Sequence, residues 1–132
     1  IQHPSVKACL EFLKIDRNVE IHYIGDLPAR TGLGSSSSFT VGLLHALHAL
    51  KGEMVSHQQL AEEAVYVEQE IIKERVGVQD QYTCATGGLV NLKFSKDGTI
   101  QTCPVPLLRE RSQDFQNHLM LFYTGIVRFA SF

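Results

Sequence analysis

The chain has 132 residues, of which 44% are hydrophobic and 20% charged, a composition typical of a globular protein with a packed core. Its net charge of -2 argues against nucleic acid or an anionic membrane as a partner, and its apolar stretches are too short to span a bilayer. The three cysteines are far apart and odd in number, which indicates reduced thiols and a cytoplasmic protein.

The first predicted elements are a helix over residues 4–14 and a strand over 18–25. The helix follows from Val6, Leu10 and Leu13, which repeat at spacings of four and three. The strand follows from the alternation of apolar and polar residues. Because the chain begins with isoleucine rather than methionine, we expect it to be a piece of a longer protein.

A loop rich in glycine and serine spans residues 28–39 and leads into a helix. A helix start carries unpaired N–H groups and the positive end of the helix dipole, so it favours bound anions. Gly32 and Gly34 let the backbone approach a ligand, and serine hydroxyls can donate to phosphate or ligate Mg²⁺. The pattern predicts a phosphate site, although it lacks the lysine of a Walker A motif. In the alternative interpretation, Ser35 or Ser36 only caps the helix.

The next helix is predicted over residues 36–51, with Gly52 ending it. Its apolar residues fall on one arc of the helix: Phe39, Leu43, Leu44, Ala46, Leu47 and Leu50. His45 and His48 should lie on the opposite, solvated face. A metal site there is disfavoured because no third ligand is apparent.

A further helix is predicted over residues 56–74, beginning at a capping box that Ser56 opens. Its apolar arc comprises Leu60, Ala61, Ala64, Val65, Val67, Ile71 and Ile72. Glu68 projects from the middle of this arc, where an unpaired carboxylate would cost several kcal/mol. It therefore needs a partner, either a buried arginine or a Mg²⁺ ion, unless its position near the end of the helix escapes burial.

A loop is predicted over residues 76–88, with a short helical turn inside it as an alternative. Asp80 lies in this loop and is either a helix N-cap or a group that accepts a proton from a substrate hydroxyl. Strands are predicted over 89–94, 99–105 and 118–125, with Gly98 in the turn between the first two and a solvated loop over 107–113. The element order indicates an α+β fold.

The glycine and serine loop resembles the second motif of the GHMP kinase superfamily. It stands here as Pro28-Ala29-Arg30-Thr31-Gly32-Leu33-Gly34-Ser35-Ser36-Ser37. The spacing of twelve residues between Glu68 and Asp80 resembles the sugar-kinase branch of this superfamily. The stretch Gln79-Asp80-Gln81-Tyr82, the serine run and the segment 39–52 most resemble the enzymes that phosphorylate D-glycero-D-manno-heptose 7-phosphate. The resemblance implies a two-layer α+β sandwich with a left-handed β-α-β crossover.

The resemblance also implies roles for individual residues. Six loop residues would bind the ATP phosphates: Gly32, Leu33, Gly34, Ser35, Ser36 and Ser37. Ser36 and Glu68 would hold Mg²⁺, and Asp80 would be the catalytic acidic residue that lies beside the sugar hydroxyl as a carboxylate. Gln81 and Tyr82 would border the sugar. Arg30 is either a phosphate contact or an exposed loop residue.

The implied function is ATP-dependent phosphorylation of a sugar or sugar phosphate, most closely the anomeric hydroxyl of the heptose 7-phosphate. Galactokinase, fucokinase and mevalonate-type kinases are alternatives within the family, and a non-catalytic module of the same fold is the alternative outside it. The family's first and third motifs have no match here. Residues 1–132 are therefore expected to form part of the N-terminal, ATP-binding domain, without the C-terminal domain, and to be insufficient for turnover alone.

Overall fold

The computed structural model describes residues 2–16, 18–25 and 32–122. Its elements in chain order are α1 (Pro4–Phe12), α2 (Ser35–Lys51), α3 (His57–Tyr66), a π-helical turn (Val67–Ile71), α4 (Gln79–Thr86), β1 (Val90–Phe94), β2 (Ile100–Pro104) and α5 (Arg109–Asn117). This mixture of helix and strand confirms the predicted α+β class. Within the described ranges, no helix is both long enough and apolar enough to cross a membrane.

Helix α2 lies at the centre of the packing and contacts α1, α3 and α4. Its buried apolar side chains include Leu43, Leu44 and Leu47, and each fully buried leucine contributes about 1.5–3 kcal/mol. The predicted apolar arc of α2 is confirmed at these three leucines. Two further members of the arc, Ala46 and Leu50, are exposed and do not belong to the core. The core therefore forms where the helices meet along the middle of α2.

Both ends of α2 are set by glycines in the left-handed conformation. Gly34 is the N-cap with φ 70°, and Gly52 is the C-cap with φ 75°. A residue with a Cβ atom is strained in this conformation, so glycine suits both positions. The predicted stop at Gly52 is confirmed, and the helix begins at Ser35, one residue before the predicted start.

Helix α3 begins where the capping pattern predicts. The Ser56 hydroxyl accepts a hydrogen bond from the Gln59 backbone N–H at 3.1 Å. The reciprocal bond of a capping box is not made, because the Gln59 amide donates to Glu63 at 2.8 Å instead. The predicted single helix also changes form after Tyr66, where the π-helical turn replaces the regular i→i+4 spacing.

Strands β1 and β2 pair antiparallel, with Val90 opposite Pro104 and Phe94 opposite Ile100. Gly98 has φ 86° in the turn between them, as the hairpin prediction requires. This pair is the sheet that the described residues contain. A left-handed β-α-β crossover needs parallel strands, so it does not appear in this part of the chain.

Two predicted strands are wrong where the structure describes them. Residues 18–25 have no regular structure, although Val19 and Ile21 pack against the core. A strand needs a partner for its N–H and C=O groups, and no strand of the described ranges pairs with this segment. Residues 118–122 are likewise irregular, and the remainder of that predicted strand, 123–125, lies outside the described residues.

Two predicted loops contain helices, and the helix in the first agrees with the alternative of a helical turn there. Within 76–88, α4 forms because its buried Tyr82 and Ala85 pack against the other helices, and this tertiary packing outweighs the loop-like sequence. Within 107–113, α5 begins at Arg109 and has no buried residue. Its arginine, glutamate and glutamine residues are good helix formers, which explains a helix without core contacts.

Candidate active site

The start of α2 offers backbone N–H groups to an anion. The first i→i−4 hydrogen bond of the helix runs from the Ser38 N–H to the Gly34 carbonyl at 2.9 Å. The N–H groups of Ser35, Ser36 and Ser37 precede it and have no carbonyl within the helix to bond. No side chain caps this end, so the interpretation that Ser35 or Ser36 is an N-cap is wrong.

The preceding part of the loop is only partly described. Gly32 has φ 77° and open space around it, and Leu33 is exposed. Pro28 and Arg30, which the sequence motif includes, lie outside the described residues.

Asp80 lies directly against Gly34. A Cβ atom built on Gly34 would be 2.9 Å from Asp80 Oδ2 and 3.3 Å from Asp80 Cβ, closer than van der Waals contact allows. Gly34 is therefore needed for its positive φ and also for the room that it leaves to the Asp80 side chain. This contact brings the carboxylate to the beginning of α2.

Asp80 is not an N-cap, since Val78 has that position in α4. It lies in the first turn of the helix, where the helix dipole stabilises a negative charge. Its side chain is exposed, so a substrate hydroxyl can reach it. The position suits a group that accepts a proton.

Glu68 is buried, with 1% of its surface exposed. The Ser37 hydroxyl donates to Glu68 Oε2 at 2.9 Å, and the Gln81 amide nitrogen donates to the same oxygen. The other oxygen, Glu68 Oε1, has no hydrogen-bond partner. No lysine, arginine or histidine of the described chain pairs with this carboxylate, so the arginine alternative finds no support there.

The π-helical turn carries Glu68. Its wider winding is visible in the bond from the Ile72 N–H to the Val67 carbonyl at 2.9 Å, an i→i+5 spacing. The Glu68 carbonyl accepts from the Glu74 N–H at 2.9 Å. Such turns occur frequently at functional sites, because they move one side chain out of the regular helical phase.

Gln81 and Tyr82 are both buried in the structure. Gln81 contacts Glu68, whereas the Tyr82 hydroxyl accepts from the Gln58 amide at 3.4 Å. Burial, with a smaller effect from Glu62, raises the pKa of the Tyr82 hydroxyl. The assignment of Gln81 and Tyr82 to sugar binding stays a prediction. In the structure, both side chains make contacts with other buried or partly buried side chains of the protein.

A cleft of about 300 Å³ lies beside the site, between α2, the start of α3 and α4. Its lining includes His45, His57 and Cys84. Burial raises the pKa of the Cys84 thiol, which therefore stays protonated near neutral pH. A larger cavity of about 630 Å³ follows α1, from Lys7 to Asp16, and contains none of the predicted site residues.

His48 was predicted on a solvated face, and this prediction is wrong. The side chain is buried between Glu53 and Glu63, whose carboxylate oxygens lie 2.8 Å and 2.6 Å from its two ring nitrogens. The sequence does contain a signal for this burial, because Val41 and Leu44 lie seven and four residues earlier on the same helix face.

Within residues 2–16, 18–25 and 32–122, no three histidine, cysteine, aspartate or glutamate side chains are grouped as a metal site. This arrangement does not exclude Mg²⁺ from the site, because that ion commonly binds one or two carboxylates and completes its shell with phosphate oxygens and water. The site thus suits a cation that arrives together with a phosphate group.

Comparisons with known proteins identify the family of the chain. The profile of the family described as GHMP kinases N terminal domain matches residues 4–88. The D-glycero-alpha-D-manno-heptose 7-phosphate kinase of Campylobacter jejuni is 26% identical over 91% of this chain and 35% of its own length. The galactokinase of Pyrococcus furiosus is 33% identical over 79% of this chain and 28% of its own length.

A third relative is the mevalonate kinase of Methanocaldococcus jannaschii, which is 27% identical over 70% of this chain and 30% of its own length. The chain thus spans about a third of the length of these relatives. No solved structure matches it significantly. Because the family profile covers well over half of the chain, the protein belongs to the GHMP kinase N-terminal domain family.

Proposed function

We propose that this chain forms the nucleotide- and magnesium-binding part of an ATP-dependent kinase that phosphorylates a hydroxyl group of a sugar or sugar phosphate. The observation that supports it best is the meeting of three separate stretches at one place. Gly34 contacts Asp80, and Ser37 and Gln81 both donate to Glu68. Phosphoryl transfer requires that the reactants be positioned and the phosphate charge neutralised, and such an arrangement supplies both.

The loop Gly32–Ser37 would bind the ATP phosphates through the backbone N–H groups at the start of α2. These groups have no partner within the helix, and the helix dipole adds to the attraction for a negative charge. Phosphate oxygens would therefore replace the missing cap. The Ser37 hydroxyl is engaged with Glu68, so its contribution would come from its N–H group.

Glu68 and Ser36 would hold Mg²⁺. Glu68 fits this role because its Oε1 is buried without a hydrogen-bond partner, a costly arrangement that a cation would relieve. Ser36 is exposed at the start of α2, and its hydroxyl is available as an oxygen ligand. When bound, the ion would offset the negative charge of the phosphates.

Asp80 would accept the proton of the substrate hydroxyl. The hydroxyl oxygen then forms a bond to the γ-phosphorus, the bond from that phosphorus to the bridging oxygen breaks, and ADP leaves with the electron pair. The exposed side chain beside Gly34 has the access that this role needs.

The finer proposal names the anomeric hydroxyl of D-glycero-D-manno-heptose 7-phosphate as the acceptor. The similarity to the Campylobacter enzyme supports it, while the higher identity to a galactokinase supports a free sugar. The proposal places the protein in the cytoplasm, where ATP is available for this reaction. The test is a kinase assay of the protein in its natural full length against heptose 7-phosphate, free galactose and mevalonate. Phosphorylation of the heptose alone supports the finer proposal, and phosphorylation of none contradicts the kinase function.

A further inference from the structure

Gln81 and Asp80 are neighbours in α4 and contact different parts of the site. Successive helical residues point about 100° apart, so one can contact the loop while the other contacts the π-helical turn. Asp80 lies against Gly34, and Gln81 donates to Glu68. Helix α4 thereby fixes the position of both acids relative to the start of α2.

The orientation of the Gln81 amide follows from its partner. The amide is completely buried, and its nitrogen contacts Glu68 Oε2. The reversed amide would place two acceptor oxygens against each other, which is repulsive, so the nitrogen must face the carboxylate. The Ser37 hydroxyl donates to the same oxygen at 2.9 Å.

The two oxygens of Glu68 therefore differ. Oε2 accepts from two donors, while Oε1 accepts from none. Gln81 Oε1 is the other buried side-chain oxygen of the described residues that lacks a donor. A Mg²⁺ ion keeps several of its water molecules, and those waters are donors. A hydrated cation is therefore a group of the kind that could supply the partners these oxygens lack.

From this asymmetry we infer that Gln81 and Ser37 are positioning residues, which hold Glu68 Oε2 so that Oε1 alone faces the cation. This inference rests on the proposed magnesium-dependent function. It assigns Gln81 to the metal carboxylate and not to the sugar. Partners of metal ligands commonly change metal affinity by 10- to 100-fold when they are removed, because they fix the orientation of the ligand.

The test compares the affinity for the ATP analogue adenylyl imidodiphosphate with Mn²⁺ and with EDTA, by isothermal titration calorimetry. Gln81→Met removes the donor and keeps the length of the side chain. Gln116→Met is the matched control, since Gln116 is exposed on α5 and its side chain makes no hydrogen bond in the structure. Mn²⁺ should raise the affinity of the wild type for the analogue. We expect this increase to be about tenfold smaller in Gln81→Met, while the affinity measured in EDTA is unchanged.

If folded Gln81→Met gains as much affinity from Mn²⁺ as the wild type does, the inference is overturned and the assignment of Gln81 to the sugar is favoured again. If this variant does not fold, the same measurement is made on Ser37→Ala, with the exposed Ser95→Ala as its control. A wild-type protein that binds the analogue equally with Mn²⁺ and EDTA contradicts the proposed function itself, and the inference with it. The two failures are distinguishable because the second appears in the wild type.

Discussion

Two polar clusters, each with a buried member, lie at the two ends of α2, and their polar atoms are hydrogen-bonded to different degrees. The N-terminal cluster consists of Ser37, Glu68 and Gln81, and two of its buried oxygens lack a donor. The C-terminal cluster consists of His48, Glu53 and Glu63. The described residues give each of its side-chain nitrogens and oxygens a partner.

The C-terminal cluster joins α2 to α3. Both ring nitrogens of His48 lie within hydrogen-bond distance of carboxylate oxygens, one from Glu53 and one from Glu63. The second oxygen of Glu63 accepts from Gln59 at 2.8 Å, and that of Glu53 pairs with Lys51 at 2.8 Å. A network in which every member is bonded fixes one arrangement of the helices.

The difference between the two clusters shows that a charged side chain in the interior can serve either stability or binding. A carboxylate whose oxygens are all hydrogen-bonded stabilises the fold, whereas a buried carboxylate with an unbonded oxygen is a candidate to bind a ligand. We therefore expect changes in the N-terminal cluster and at Asp80 to affect ligand binding and turnover. Changes in the C-terminal cluster should affect the free energy of unfolding.

The largest effect is expected from Asp80→Asn in the protein in its natural full length, in which turnover is measured for this and the other variants. The amide cannot accept the proton of the hydroxyl, so turnover should fall by at least about 100-fold. Binding of ATP and the unfolding temperature should stay close to the wild-type values, because Asp80 is exposed and lies outside both clusters. Steady-state kinetics and calorimetric titration measure these quantities, and normal turnover would remove Asp80 from the mechanism.

His48→Ala should produce the next largest effect, on stability. It removes the ring nitrogen that lies 2.6 Å from Glu63 Oε2, and the Glu63 side chain is 15% exposed. We expect a loss of about 1–3 kcal/mol in the free energy of unfolding, the usual cost of leaving a largely buried acceptor without its partner. Chemical denaturation measures it, with the exposed His45→Ala as the control. Equal losses in both variants would mean that the C-terminal cluster does not stabilise the fold.

A comparison of Gly34→Ala with Gly52→Ala distinguishes the effect of backbone strain from the effect of a clash with a neighbouring side chain. Both positions have a positive φ, so each substitution should cost about 1 kcal/mol of stability. Only at Gly34 would the new methyl group meet another side chain, that of Asp80. Turnover should therefore fall further in Gly34→Ala than in Gly52→Ala, and equal turnover would show that the contact with Asp80 is unimportant.

The smallest effect concerns pH. Lys51 and then His48 hold the pKa of Glu53 below its ordinary value of 4.5. A lowered pKa in the folded state means that the interaction stabilises the protein above about pH 4.5 and is lost as pH falls through the folded-state pKa. Wild type should thus be slightly more stable than Glu53→Gln near neutral pH, and the difference should vanish in acid. A difference that grows on acidification would contradict this account.

The sequence predicted the helices best where the apolar spacing was long and regular, as in α2, and where a glycine ended the pattern, as at Gly52. It also predicted that Glu68 is buried, because a single acid stands out against an apolar arc. These features depend on local periodicity. They can therefore be read before any tertiary contact is known.

The remaining features depend on contacts that periodicity does not contain. The alternation at 18–25 predicted a strand, but a strand forms only beside a partner. Helix α4 forms through packing of Tyr82 and Ala85, and the role of Ser37 as a donor to Glu68 joins residues 31 positions apart. The contact of Gly34 with Asp80 is equally remote along the chain.

The central claim is that the bare oxygen of Glu68 belongs to a site for Mg²⁺ and nucleotide. It is tested most directly by the unfolding temperature of wild type and Glu68→Gln with adenylyl imidodiphosphate, in Mg²⁺ and in EDTA. A ligand that binds the folded state raises this temperature in proportion to the logarithm of its concentration over its dissociation constant. We predict that Mg²⁺ adds to the nucleotide's effect in wild type and adds nothing in Glu68→Gln. The same added stabilisation in both proteins would contradict the account.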